Sequence, residues 1–237
     1  MFWRVLLSFI CFAFCVPAMR AETIVLPEED NCFDFLALQE RAKAGDPKAQ
    51  YDLADCYYYG IETKRDLAIA RDWYIKAADQ NYVPAQYKLG TQYRFDPKIS
   101  RPEILRYLYR AACAGDAESQ FALAICYYEG VCAQWNYSLA VDWFYAAARQ
   151  GHVRAMLYLG ICYTWGFGVE QNGEEALWWF ECAADAGDPT AQYFLGEAYR
   201  LGRGVEVDLP KAKNYYRQAA ENGNKYAKLL LKRFGEK

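Results

Sequence analysis

Residues 152–187, HVRAMLYLGICYTWGFGVEQNGEEALWWFECAADAG, and residues 188–223, DPTAQYFLGEAYRLGRGVEVDLPKAKNYYRQAAENG, are one unit written twice. Both carry Ala, Leu-Gly and Tyr at fixed offsets: Ala155, Leu159, Gly160 and Tyr163, then Ala191, Leu195, Gly196 and Tyr199. The frame extends backwards through Ser119, Leu123, Ala124 and Tyr127, through Ala85, Leu89, Gly90 and Tyr93, and to Ala49, Leu53, Ala54 and Tyr57. A second frame follows each first one. It runs Ala70, Trp73, Ala77, Ala78; Ile104, Tyr107, Ala111, Ala112; Ala140, Trp143, Ala147, Ala148; Ala176, Trp179, Ala183, Ala184; Ala212, Tyr215, Ala219, Ala220. The spacings i, i+3, i+4 and i+7 belong to one helix face, so each unit is a pair of amphipathic helices, A then B. Small residues let the pair approach closely, and the Trp or Tyr of the second frame is expected to fill the space beside them.

The punctuation agrees. Gly45, Gly115, Gly151, Gly187 and Gly223 stand where helix B should end in a left-handed residue, with Asn81 in the same column. Asp46, Asp116, His152, Asp188 and Asn224 then fall at the N-cap of the next helix A, and Asp66, Ser100, Asn136, Asn172 and Asp208 at that of helix B. Ser100/Glu103 and Asn172/Glu175 have the spacing of a reciprocal capping box. One helix pair cannot bury both of its faces, whereas stacked pairs share a continuous core. The expected fold is therefore all-α: a right-handed α/α solenoid of about five 36-residue helix-turn-helix repeats over residues 46–223. It is capped by a helix at 31–45 and by a C-terminal helix and tail at 224–237. The second repeat is two residues short and gains Pro97 and Pro102, which predicts a local irregularity there.

The N-terminus reads differently. Arg4 precedes an apolar run from Val5 to Val16, followed by Ala18 and Ala21, the pattern of a secretory signal peptide over residues 1–21. The run falls short of the roughly 18 apolar residues of a membrane span, so membrane attachment is expected only through this segment if it stays uncleaved. Residues 22–30 form a loose leader. The expected compartment is exported, periplasmic or secreted. Cleavage removes Arg4, Arg20, Cys11 and Cys15, leaving 25 basic against 30 acidic residues and seven of nine cysteines in an oxidising environment.

Composition narrows the chemistry. A formal charge of −3 and 24% charged residues argue against nucleic acid as a partner. His152 is the single histidine, which excludes any two-histidine metal site, and no Cys-x2-Cys pair exists, so no metal and no cofactor are expected. Its N-cap column makes His152 a capping residue. Asn136-Tyr137-Ser138 is a glycosylation sequon in a eukaryotic source, and Asn136 already has a capping role. Cys56, Cys126 and Cys162 share one column on the core face, where they read either as small buried side chains or as disulfide partners. Seven thiols cannot all pair within one chain; Cys126 with Cys132, and Cys32 with Cys56, are the candidate intrachain pairs.

The pattern Ala-x3-Leu-Gly-x2-Tyr-x2-Gly-x-Gly-Val, complete in repeats 4 and 5 with Gly166-Phe167-Gly168-Val169 and Gly202-Arg203-Gly204-Val205, resembles the Sel-1-like repeat family. The tetratricopeptide repeat, with a period of 34, lacks this wide turn. The resemblance covers roughly residues 47–222. It implies an adaptor or scaffold that binds another protein. An immunity or inhibitory protein with one tight partner is the alternative. A secreted cysteine-rich branch of the family uses disulfides within its repeats, and penicillin-binding or β-lactamase activity has been attached to it. Here the serines offer no Ser-x2-Lys, since Glu103, Ala122 and Val141 follow Ser100, Ser119 and Ser138 at that spacing, so no enzyme is expected.

For binding, the informative columns are those the repeats do not share. Helix A should line the concave side. Tyr51, Asp55, Tyr58, Tyr87, Thr91, Arg94, Tyr128 and Arg200 form the expected contact surface, rich in the residue types that dominate interface centres.

Overall fold

The computed structural model describes residues 34–94 and 96–233. The expected signal peptide, the leader and Cys32 lie outside them. Among the described residues there are twelve helices and no strand. Helix α1 (Phe35–Lys43) precedes the repeats. The A helices are α2 (Pro47–Tyr59), α4 (Val83–Gln92), α6 (Ala117–Glu129), α8 (Val153–Trp165) and α10 (Pro189–Leu201). The B helices are α3 (Leu67–Asp79), α5 (Arg101–Cys113), α7 (Tyr137–Ala148), α9 (Gly173–Asp185) and α11 (Leu209–Glu221), and α12 (Lys225–Arg233) closes the array. Each helix packs on the next in sequence, giving an α-solenoid of 36-residue repeats.

Local hydrogen bonding explains where the helices begin. Side chains of Asp46, Asp116, Asp188 and Asn224 accept backbone N–H groups of the following helix, and His152 does the same through Nδ1, 3.1 Å from the Ala155 nitrogen. In four B caps the backbone N–H of Asp66, Asn136, Asn172 and Asp208 donates to the carbonyl of the frame tyrosine, Tyr57, Tyr127, Tyr163 or Tyr199. That donor is therefore used, and Asn172/Glu175 does not form the reciprocal box. Ser100, in the short second repeat, lacks this bond, and its N–H donates to Glu103 at 2.9 Å, completing a capping box. The irregularity extends to α4, only ten residues long, and Asn81 takes the left-handed conformation (φ 65°) before it. Arg71, 7% exposed, reaches from α3 to the altered junction and pairs with Asp96 at 3.2 Å.

The core differs from the sequence expectation in one respect. The space over the small residue of helix A is filled by the residue after the frame aromatic: Tyr74, Leu108, Phe144, Phe180 and Tyr216, all fully or almost fully buried. A Cβ added to Gly90, Gly160 or Gly196 would lie 2.3–2.5 Å from Leu108, Phe180 or Tyr216. The frame aromatics do a different job. Trp73, Trp143 and Tyr215 each pack against two successive core clusters, and Trp179 of repeat 4 belongs to the core of repeat 3. They join repeats rather than fill them.

Two further devices lock the stack. Gln50, Gln86, Gln120 and Gln192 donate from Nε2 to the carbonyls of Ala42, Ala78, Ala112 and Ala184 at the end of the preceding helix. Gln80, Gln150 and Asn222 then donate to the Oε1 atoms of Gln50, Gln120 and Gln192 at 2.8–3.0 Å. In the wide turns, a Cβ on Gly168 or Gly204 would lie 2.2–2.3 Å from the carbonyl carbon of Tyr137 or Gly173. The second turn glycine therefore lets each turn press against the start of helix B in the preceding repeat.

Candidate functional site

The A helices of repeats 2, 3 and 4 lie side by side and enclose a groove of about 280 Å³. One wall is Tyr87, Thr91 and Arg94 at α4, the floor is a stripe of α6, and the far wall is Arg154 and Tyr158 of α8. The α6 stripe is Glu118, Phe121, Ala122, Ile125, Cys126 and Glu129, spaced along a single helix face.

The walls are tied together. The Tyr87 hydroxyl lies 3.5 Å from Glu118 Oε2, and Nε2 of His152 lies 3.5 Å from the same oxygen. Burial, and then the Glu118 carboxylate, push the Tyr87 phenol above its usual range, so it stays a neutral donor. Phe121 stacks on the His152 ring with centroids 4.5 Å apart, carries the Arg154 guanidinium 4.8 Å above it, and meets Tyr158 at 5.7 Å. Thr91 turns its hydroxyl back to the Tyr87 carbonyl. The groove thus offers aromatic faces, two arginines and two glutamates.

Of the eight residues expected from sequence at the contact surface, Tyr87, Thr91 and Arg94 meet in this groove. Tyr51, Asp55 and Tyr58 sit one repeat earlier in a tyrosine cluster. Tyr51 packs on Tyr74 and Tyr82, Tyr58 on Tyr74 and Tyr93, and Asp55 accepts the Tyr74 hydroxyl and lies 3.7 Å from Lys88. Tyr128 packs on Tyr137, Phe144, Tyr158 and Phe167, and its contact with Tyr158 adjoins the groove. Arg200 is engaged by both carboxylate oxygens of Glu197, far from the groove in sequence and in repeat.

The column Asp55, Thr91, Ile125, Ile161, Glu197 varies because its partner varies. Where helix B presents Tyr74 or Tyr216, helix A supplies a carboxylate to the hydroxyl; opposite Leu108, Phe144 and Phe180 it supplies Thr or Ile. That column has a packing role. Glu118, Phe121, Glu129, Arg154 and Tyr158 are not among the residues expected from sequence; the stripe spacing on α6 would have found the first three.

A second concavity of about 420 Å³ lies between repeats 4 and 5, where Arg203 covers the Trp165 ring at 5.5 Å beside Phe180, Phe194 and Glu197. Among the described residues no helix is long and apolar enough to cross a membrane, and no group of three or more potential ligands could hold a metal ion.

The Sel1 repeat profile matches residues 47–82, 83–100, 117–152, 153–188 and 189–224. The chain belongs to the Sel1 repeat family. The truncated second match falls on the irregular junction. Among solved structures, this Sel1 repeat chain is similar to c5321, a protective antigen of uropathogenic Escherichia coli strains displaying an SLR fold. The TM-score is 0.79 at 32% identity, over 84% of this chain and 43% of that one. A Sel1 repeat protein from Oxalobacter formigenes matches with TM-score 0.73 and 29% identity, over 81% of this chain and 86% of that one. DAP3-binding cell death enhancer 1 of Mus musculus is 33% identical over 145 residues, 45% of this chain and 28% of that protein. The chain spans less than a third of the length of the curated relatives it matches. Sel1 repeat proteins generally mediate protein–protein interaction, and the family is typically a non-enzymatic scaffold.

Proposed function

We propose that this Sel1 repeat chain is an exported adaptor that binds a segment of a partner protein across its A-helix face, centred on the groove between α4, α6 and α8. The observation that carries this reading is the groove itself. It crosses three repeats, so it suits a ligand with length, and it presents Tyr87, Tyr158, Arg94 and Arg154, the side-chain types that anchor protein interfaces. An open solenoid face favours recognition over chemistry on a small molecule. The mouse relative, whose name describes it as DAP3-binding, is consistent with a protein ligand. Export rests on the N-terminal run of residues 5–16, and mass spectrometry of the mature N-terminus tests it: a chain beginning after Ala18 or Ala21 is expected, and an intact Met1 would overturn export.

Photo-crosslinking in the native compartment tests the binding surface. A crosslinker at Thr91 is expected to capture a protein that the same group at Arg106, on helix B, does not. Arg154→Glu should abolish that capture while leaving the melting temperature unchanged. Equal capture from both positions, or capture indifferent to Arg154→Glu, would remove the groove from the binding surface.

A further inference from the structure

The turn of the third repeat departs from its neighbours at position 132. The same column holds Gly168 and Gly204 in repeats 4 and 5, both left-handed and both pressed against the preceding repeat. Repeat 1 places Glu62 there, also left-handed (φ 56°). Cys132 stands in this column with a side chain that the turns of repeats 4 and 5 have no room for, and it is turned inward. It is 7% exposed and shares a core cluster with Cys126, which is 6% exposed. The two thiols are six residues apart across the end of α6, and each acts electrostatically on the other, with Arg94 acting on both. Cys56 and Cys162, the counterparts of Cys126 in repeats 1 and 4, have Glu62 and Gly168 at the matching turn position and so have no such partner. The pair occurs in one repeat, unlike a regularly repeated framework.

We propose that Cys126 and Cys132 form an intrachain disulfide when the protein meets an oxidising thiol–disulfide couple. Cys132 is the attacking group. The neighbouring Cys126 thiol, with help from Arg94 and Arg101, holds the Cys132 thiol below its usual range against the effect of burial, while the same neighbour and burial push Cys126 up. The Cys132 thiolate attacks one sulfur of a small disulfide RS–SR, forms a mixed disulfide and expels RS⁻. Cys126 loses its proton and attacks the Cys132 sulfur, expelling the second RS⁻. Two protein thiols give up two electrons and two protons, and RS–SR becomes two RSH. Because Cys126 lines the α4–α6–α8 groove, the bond fixes the end of α6 where it forms the groove floor. This inference stands apart from the adaptor reading, since it holds whatever the groove binds.

The test is equilibration of the folded full chain with oxidised and reduced glutathione, acid quenching, alkylation in denaturant and digestion with trypsin plus a glutamyl endopeptidase. Cleavage after Arg110, Glu118, Glu129 and Arg149 puts Cys113, Cys126 and Cys132 on three separate peptides. The expected result is a linked pair of peptides 119–129 and 130–149 in oxidised glutathione, absent in reduced glutathione and absent in both Cys126→Ser and Cys132→Ala. Oxidation should also raise the melting temperature of the wild type and not that of Cys132→Ala. Exposed Cys113 is the internal control. Glutathionylation of Cys113 with Cys126 and Cys132 still alkylated would overturn the proposal, as would a link from Cys132 to Cys113.

Discussion

Ser119 stands in the first frame position, where the other repeats carry Ala49, Ala85, Ala155 and Ala191. Its side chain is fully buried and its hydroxyl has no hydrogen-bond partner. A buried hydroxyl left unpaired costs about 1–3 kcal/mol, so Ser119→Ala is expected to stabilise the protein by ~1 kcal/mol in urea unfolding; a loss of stability would show the hydroxyl is satisfied after all. The opposite change tests the close approach of A and B. Gly196 lies against the Tyr216 ring, which is fully buried and donates to Glu197 at 2.5 Å. Gly196→Ala has to displace a ring that has nowhere to go. A destabilisation of about 1–3 kcal/mol is expected, as for other overpacked cores, and an unchanged midpoint would refute the fit.

At the level of the helix, stability comes from bonds that finish its ends. Gln120 illustrates this: its Nε2 satisfies the Ala112 carbonyl at the end of α5, and its Oε1 accepts from Gln150 at the end of α7. Gln120→Ala removes both bonds and leaves a buried space, while the Ala112 carbonyl keeps the Gly115 N–H and exposed Gln150 turns to water, so a cost of about 1 kcal/mol is expected by thermal or urea unfolding, more than for an exposed glutamine. The α4–α5 junction adds a pH response. The backbone N–H of Lys98, and then the Arg71 guanidinium, hold the Asp96 carboxyl below its usual range against the effect of burial. A carboxyl held down in the folded state contributes stability above the unfolded value of about 4 and loses it as pH falls through the folded value. Asp96→Asn should therefore lower stability at pH 7 and flatten its decline between roughly pH 5 and pH 2. Parallel acid curves for the two proteins would show that this ion pair is not coupled to folding.

On the scale of the whole array, every repeat leans only on its neighbours, because the frame aromatics and the glutamine ladder reach one repeat and no further. Such a chain unfolds from its weakest end. Ala227 of α12 is fully buried with Tyr199, Tyr216 and Ala219. Ala227→Asp is expected to remove hydrogen-exchange protection from α10 to α12 while α2 to α5 keep theirs. Uniform loss along the chain would mean that the repeats fold as one indivisible unit. The groove, centred on α6 and two repeats from that end, should keep its binding in the same variant.

The sequence by itself determined the helix pairs, their 36-residue period, their caps and the family, including His152 as an N-cap, because these depend on bonds within a few residues of each other. It also located three residues of the groove. What only the tertiary structure decided are contacts between residues some 20 to 35 apart: which side chain covers each small residue, which aromatics join repeats, and why Asp55 and Glu197 face tyrosines. The groove belongs to the same class, since α4, α6 and α8 supply its walls separately. Each single helix displays those residues on its surface, and the stacking of neighbouring repeats decides which surface becomes core and which becomes a groove.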